Sequence, residues 1–301
     1  MPNRLSNPRL QNQSSDGLKN RSVLFFEAAA VLVLTLAVLG CREQPGASDD
    51  LTRLAAGTKT DKGLSGHYYT ELYDIFFLPL KNKAAKILEI GIASGDSLKM
   101  WRDYFPKATI YGIDIVPKTE LDSDRIKTFV ADQANRSQLE SFVGKSGGYF
   151  DIIIDDGGHH MNHQQISLGF LFKYLKPGGY YIIEDLHMSL PRFWQGYGVR
   201  PDESNSTLNM IFKFIREMRL ESFHMPRPEE RYLTQNIEFC NLFMRNRLYV
   251  QSPSIMCILK KRTRPLNMIS SARFRREGKK GKAQFNRSSR GGRGADSAHS
   301  F

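Results

Sequence analysis

Ten residues, "DDGGHHMNHQ" from Asp155 to Gln164, hold two carboxylates and three imidazoles. They directly follow the apolar run "FDIII". A second acidic pair, Glu184 and Asp185, follows the apolar run "YYII". Carboxylates ligate hard cations, and an imidazole takes or gives a proton near neutral pH. No basic residue stands beside these acids in sequence.

A third stretch, "EIGIASGDS", places Glu89, Gly91 and Gly95 in an E-x-G-x-x-x-G pattern. Glycines there let the backbone turn tightly and approach a ligand closely. Asp114 ends the next apolar run, "TIYGIDI", about twenty residues on, where an acid accepts ribose hydroxyl protons. A dinucleotide loop requires G-x-G-x-x-G, so that a pyrophosphate sits at a helix start. Here Ala93 and Asp96 occupy the second and third glycine positions, and Asp96 would repel a phosphate. The loop therefore suits a ligand with a ribose and no phosphate, such as S-adenosylmethionine (SAM).

The elements that position these groups follow from periodicity. "KILEIGI", "TIYGIDI", "IKTFVAD", "YFDIIID" and "YYIIED" read as buried strands, and "NIEFCNLFM" and "SIMCILKK" as two closing strands. Between them, "SLKMWRDYF", "SQLESFV", "NHQQISLGFLFKYL" and "TLNMIFKFIREM" have helical spacing, with "KPGG" ending the third helix. Strand–helix alternation with continuous apolar strands predicts an α/β fold with a mostly parallel sheet covered on both faces. Ligands then bind beyond the carboxyl ends of the strands.

The glycine loop, Asp114, "VADQ", "IIIDDGGHH" and "LKPGGYYIIEDL" resemble class I SAM-dependent methyltransferases. More narrowly, "TDKGLSGHYYTELYD", the "DGGHH" box and the "IIEDL" strand end are similar to the metal-dependent O-methyltransferases acting on sugar hydroxyls of macrolide and aromatic polyketide glycosides. The likeness is strongest over residues 58–188 and weakens after that. Ala93 departs from the family's usual glycine.

The resemblance implies a Rossmann-like seven-stranded methyltransferase sheet. It implies that Glu89, Gly91 and Gly95 shape the SAM loop, that Asp114 holds the ribose, and that Asp132 and Gln133 contact adenine. Tyr69 would cover the methionine end. The strands before Asp156 and before Glu184 and Asp185 would be neighbours, so these three acids would bind Mg²⁺. His159 would take the proton from a small-molecule hydroxyl acceptor. His160 and His163 read as structural, His187 as a residue able to touch substrate, and "PRFWQGYG" as a lid or an irregular connection.

The rest of the chain sets the frame. It has 301 residues, 41% hydrophobic and 25% charged, so one domain with tails fits. Residues 1–50 comprise a basic start, the apolar Ser22–Gly40 and a linker; residues 51–263 form the methyltransferase domain; residues 264–301 form a basic tail. The apolar segment resembles a signal or membrane anchor, with Cys41 placed as in a lipoprotein box. The tail carries ten Lys/Arg against Glu277 and Asp296, so +8 of the net +12, and buries little; it is expected to be disordered. Three scattered cysteines, odd in number and without a C-x-x-C pair, argue against a disulfide framework or a cysteine zinc site. Two other functions follow from these ends: a non-catalytic SAM-fold protein tethered to a membrane, and a nucleic-acid methyltransferase using the basic tail.

Overall fold

A computed structural model of the chain describes residues 50–197, 206–246 and 253–264, all within one compact unit, Asp49–Phe301. The apolar segment with Cys41 and nearly all of the basic tail lie outside the described residues. Among the described residues no helix is long and apolar enough to cross a membrane.

Seven strands form one sheet: β1 (Lys86–Ile90), β2 (Thr109–Asp114), β3 (Ile126–Val130), β4 (Phe150–Asp155), β5 (Leu175–Ile183), β6 (Ile237–Arg245) and β7 (Ser254–Lys261), in the order β3-β2-β1-β4-β5-β7-β6. The first five are parallel, and β7 runs antiparallel between β5 and β6. Strand order reverses between β1 and β4, which opens the ligand crevice there.

Consecutive strand residues face opposite sides. Ile87, Ile152, Ile154 and Ile182 enter one core, packed by α1 (Asp50–Thr58), α2 (Tyr69–Phe77) and α3 (Asp96–Tyr104). Leu88, Ile90, Ile153 and Ile183 enter the other, packed by α4 (Arg136–Ser146), α5 (Met161–Leu171), α7 (Thr207–Glu217) and α8 (Arg227–Asn236). Because both faces are covered, the strands are continuously apolar, and each such side chain contributes about 1.5–3 kcal/mol on burial.

Two local expectations differ from the fold. "KPGG" does not end a helix: α5 stops at Leu171, a short 3₁₀ turn follows, and Lys176–Gly179 lie inside β5. Gly178 takes a positive φ of 81° there, and Lys176 Nζ pairs with Asp151 on β4 at 2.8 Å. α8 was not foreseen because "RPEERYLTQN" is polar; only Glu230 and Leu233 are buried in it. A short helix, α6 (Trp194–Tyr197), lies in the expected lid stretch.

Candidate active site

A cavity of ≈ 750 Å³ lies over the carboxyl ends of the parallel strands, within the usual range for a small-molecule site. Gly91, Asp114, Asp132, Asp156, His159 and Asp185 all line it. The glycine loop forms its floor. Gly91, at φ 85°, donates its N–H to Ile113 O at 2.9 Å, and a Cβ there would overlap the carbonyl of Asp156. Gly95, at φ 78°, leads into α3, and a Cβ on it would overlap Leu121. Ala93 is itself at φ 47°, the position the sequence marked as departing from glycine.

Asp114 lines the cavity beside the glycine loop. Its Oδ2 accepts from Ile92 N at 2.9 Å and Ala93 N at 3.4 Å, and its Oδ1 from Val116 N at 2.9 Å. Asp132 lies on the same wall, with one oxygen accepting from Ala134 N. Gln133 also borders the cavity, but both ends of its amide are engaged. It donates to Asp155 at 2.9 Å and accepts from Gly158 N at 2.9 Å, clamping the histidine-rich loop. Asp155 is structural: burial raises its pKa, and Ser167, Gln133 and Tyr181 hydrogen-bond to it in compensation.

The acids gather after the ends of β4 and β5. Asp156, His159 and Asp185 each offer a ligand atom, and these atoms lie within 4.8 Å of one another. His159 and Asp185 both hold positive φ, 55° and 53°, a strained backbone that a packed site can enforce. His159 Nε2 lies 3.7 Å from Asp185 Oδ2, while its Nδ1 is buried without a hydrogen-bond partner. His67 and His187 also approach Asp185, at 3.4 and 3.7 Å. Burial alone would raise the Asp185 pKa, but the three imidazoles outweigh it and hold the carboxyl below its ordinary value.

Glu184 stands behind this group. Its carboxylate accepts from Tyr73 OH and from Lys62 Nζ at 2.9 and 3.0 Å. Lys62 is the basic partner that the acids lack in sequence. Its Nζ also meets Asp156 Oδ2 at 2.5 Å and Glu89 Oε1 at 3.3 Å, and the residue is 1% exposed. Burial would lower the lysine pKa, but the carboxylates around it raise it further. Burial pushes Glu184 upward, with Asp156 adding to the push and Lys62 opposing it. Glu89, fully buried, is pushed up to about 7 by the same desolvation.

The stretch before α2 positions Lys62. Tyr69 N and Thr70 N both donate to Lys62 O, at 2.9 and 3.2 Å, so the lysine sits where the chain turns into the helix. One helical turn along α2, Tyr69 and Tyr73 share a face. Tyr69 OH donates to Asp185 Oδ1 at 2.8 Å, so this side chain braces a site acid. Lys62 and His67 lie in the "TDKGLSGHYYTELYD" stretch quoted above, but only Tyr69 was singled out there as a site residue.

The donor set suits a cation, since two carboxylates and an imidazole converge on one point. Gly91 and Gly95 are demanded by the protein's own packing, since a Cβ at either would overlap the Asp156 carbonyl or the Leu121 side chain.

Known proteins are similar to this chain. The chain is 36% identical over 198 residues to the 8-demethyl-8-(2-methoxy-alpha-L-rhamnosyl)-tetracenomycin-C 3'-O-methyltransferase of Streptomyces olivaceus, covering 64% of this chain and 50% of that protein. It is 34% identical to the mycinamicin VI 2''-O-methyltransferase of Micromonospora griseorubida, covering 62% of this chain and 49% of that one. The chain thus spans about half the length of the curated relatives it matches. The solved MycE methyltransferase of the mycinamycin pathway, in complex with Mg and SAH, superposes with a TM-score of 0.58 at 30% identity, over 72% of this chain and 55% of that chain. A family model described as "Methyltransferase domain" matches residues 65–250, from the loop before α2 to the end of the sheet's β6 region. By fold, strand order and that match, the chain belongs to the methyltransferase-domain family.

Proposed function

We propose that this chain is a SAM-dependent O-methyltransferase, Mg²⁺-dependent, acting on a hydroxyl of a small sugar-containing acceptor. The observation that carries the reading is one cavity lined both by a ribose-type acid, Asp114, and by the Asp156–His159–Asp185 group. Relatives named for O-methylation of rhamnosyl and macrolide sugars support the acceptor class.

SAM supplies an electrophilic methyl group, and Mg²⁺ supplies Lewis acidity toward an acceptor hydroxyl. The chain's residues do the rest. The loop from Gly91 to Gly95 and Asp114 seat the donor, with Asp132 on the same wall. Asp156, Glu184 and Asp185 would hold the cation with His159 beside them, and Lys62 Nζ, paired with both Asp156 and Glu184, neutralises the group. His159 takes the acceptor's proton at Nε2, because Nδ1 is buried. Asp185 Oδ2, 3.7 Å away, stabilises the imidazolium so formed. Tyr197, whose ring lies 5.4 Å from His160 and 6.5 Å from His159, borders the acceptor side.

SAM supply favours a cytosolic place for the domain, and Ser22–Gly40 resembles a membrane anchor or a lipoprotein-like signal ending at Cys41. A methyl-transfer screen against glycosides and phenols, with Mg²⁺ or with EDTA, tests the reading. Methylated glycoside with Mg²⁺ and none with EDTA is the expected result. Full activity in EDTA overturns the metal part, and no SAM binding by calorimetry overturns the whole.

A further inference from the structure

Two of the three cysteines meet in the fold. Cys240 lies on β6 and Cys257 on β7, 17 residues apart in sequence, and their Sγ atoms are 3.4 Å apart. The β6–β7 register explains the contact. Cys240 stands opposite Leu259 and Cys257 opposite Leu242, and residues two apart along a strand share a face. Both thiols therefore point to the same side of the sheet, and both are free. A disulfide holds its sulfurs about 2.05 Å apart, so the pair has to close by roughly 1.4 Å. β6 is the outermost strand and can shift, whereas β7 is paired on both edges. The two thiols differ in access. Cys240 is half-buried and Cys257 fully buried, and that burial, with Cys240 beside it, holds the Cys257 thiol well above its ordinary value. Cys240 therefore meets a dissolved oxidant first, and Cys257 is the neighbour placed to answer it.

We propose that Cys240 and Cys257 form an oxidisable dithiol, which a peroxide closes into a disulfide that pins β6 to β7. Hydrogen peroxide supplies the oxidising equivalents. The Cys240 sulfur attacks one peroxide oxygen, the O–O bond breaks, and a sulfenic acid and one water result. The Cys257 sulfur then attacks the Cys240 sulfur. The S–S bond forms, the S–O bond breaks, and hydroxide leaves with the Cys257 proton as a second water. Two thiols are oxidised and one peroxide is reduced. In a reducing compartment such a pair rests as thiols and closes transiently. The link borders the acids' supports. Cys257 pairs with Ile183, the residue before Glu184. The same strand carries Ser254, whose Oγ is 3.2 Å from His67 Nδ1, and the Ile255 carbonyl that Tyr69 OH meets at 3.3 Å.

The test treats the reduced full chain with micromolar hydrogen peroxide, removes the excess with catalase and alkylates the remaining thiols. Non-reducing peptide mapping is expected to find the Cys240 and Cys257 peptides joined. Alkylation should fall from all three cysteines to Cys41 alone. The oxidised chain should melt at least about 4 °C higher, because a cross-link restricts the unfolded chain, and dithiothreitol should reverse both changes. Cys240→Ser, at the half-buried position, should form no such link and keep its Tm under peroxide. Cys240 recovered as sulfinic acid, joined to Cys41 or to a second chain, or still a free thiol overturns the proposal. A linked chain that melts no higher overturns the pinning of β6. The assay contains no SAM, metal or acceptor, so its outcome is independent of the methyltransferase reading.

Discussion

The phenol of Tyr69 on α2 donates to Asp185 Oδ1 at 2.8 Å, tying a helix that precedes the sheet to the loop that follows β5. Asp185 sits at φ 53°, so the bond also helps hold a strained backbone. Tyr69→Phe removes a buried hydrogen bond to a charged group and should cost about 1.5–3 kcal/mol of stability. Urea unfolding measures that loss, and calorimetry should show weaker Mn²⁺ binding in the same variant. A variant as stable as wild type would mean Asp185 needs no brace.

His159→Ala should lower turnover by roughly 10²–10⁴-fold, the usual worth of a positioned general base. SAM affinity should not change, because the glycine loop and Asp114, not His159, are the proposed seat of the donor. Comparing kcat with the SAM dissociation constant separates these outcomes. Loss of both would place His159 in cofactor binding instead.

Ala93 holds φ 47° in the loop, where an L-residue pays roughly 1–2 kcal/mol. Ala93→Gly relieves this but loosens the unfolded chain by roughly 0.5–1 kcal/mol. The net expectation is a gain of up to about 1 kcal/mol by denaturant titration. Gly91→Ala should act in the opposite sense. It adds a Cβ at φ 85° against the Asp156 carbonyl and should abolish SAM binding.

Glu89 makes stability depend on pH. Its folded pKa is raised from 4.5 to about 7 by burial, with Lys62 opposing. The folded state therefore keeps this proton longer than the unfolded chain. The associated stabilisation is full below pH 4.5 and is lost as pH rises through about 7. Glu89→Gln should flatten that segment, by on the order of 3 kcal/mol across the window. Melting wild type and variant at intervals between pH 4 and 8 checks it, and parallel curves would show that Glu89 titrates normally.

The strands were legible because each fills both cores: Ile152, Ile153 and Ile154 alternate faces yet are all apolar. The same rule put Asp114, Asp156 and Glu184 at strand ends, where the cavity or its supporting acids lie. Lys62 lies in the quoted "TDKGLSGHYYTELYD" stretch, but its role was not legible, because its partners Asp156 and Glu184 lie 94 and 122 residues away and a single lysine has no period. Gln133 shows a subtler limit. Its position beside the cavity followed from "VADQ", but its amide faces the Asp155–Gly158 loop, which only the packing reveals. "KPGG" misled because proline and glycines usually break structure, whereas here Lys176 anchors the bent start of β5 to Asp151.

The stretch from Lys62 to Tyr73 lies upstream of every strand, yet supplies Lys62, His67, Tyr69 and Tyr73 to the acids at the ends of β4 and β5. Anyone trimming this protein to its sheet, or exchanging loops with a relative to change acceptor preference, would carry the acids without their keepers. Such chimeras need this upstream piece moved along with the loops, or the borrowed carboxylates arrive with no counter-charge and no brace.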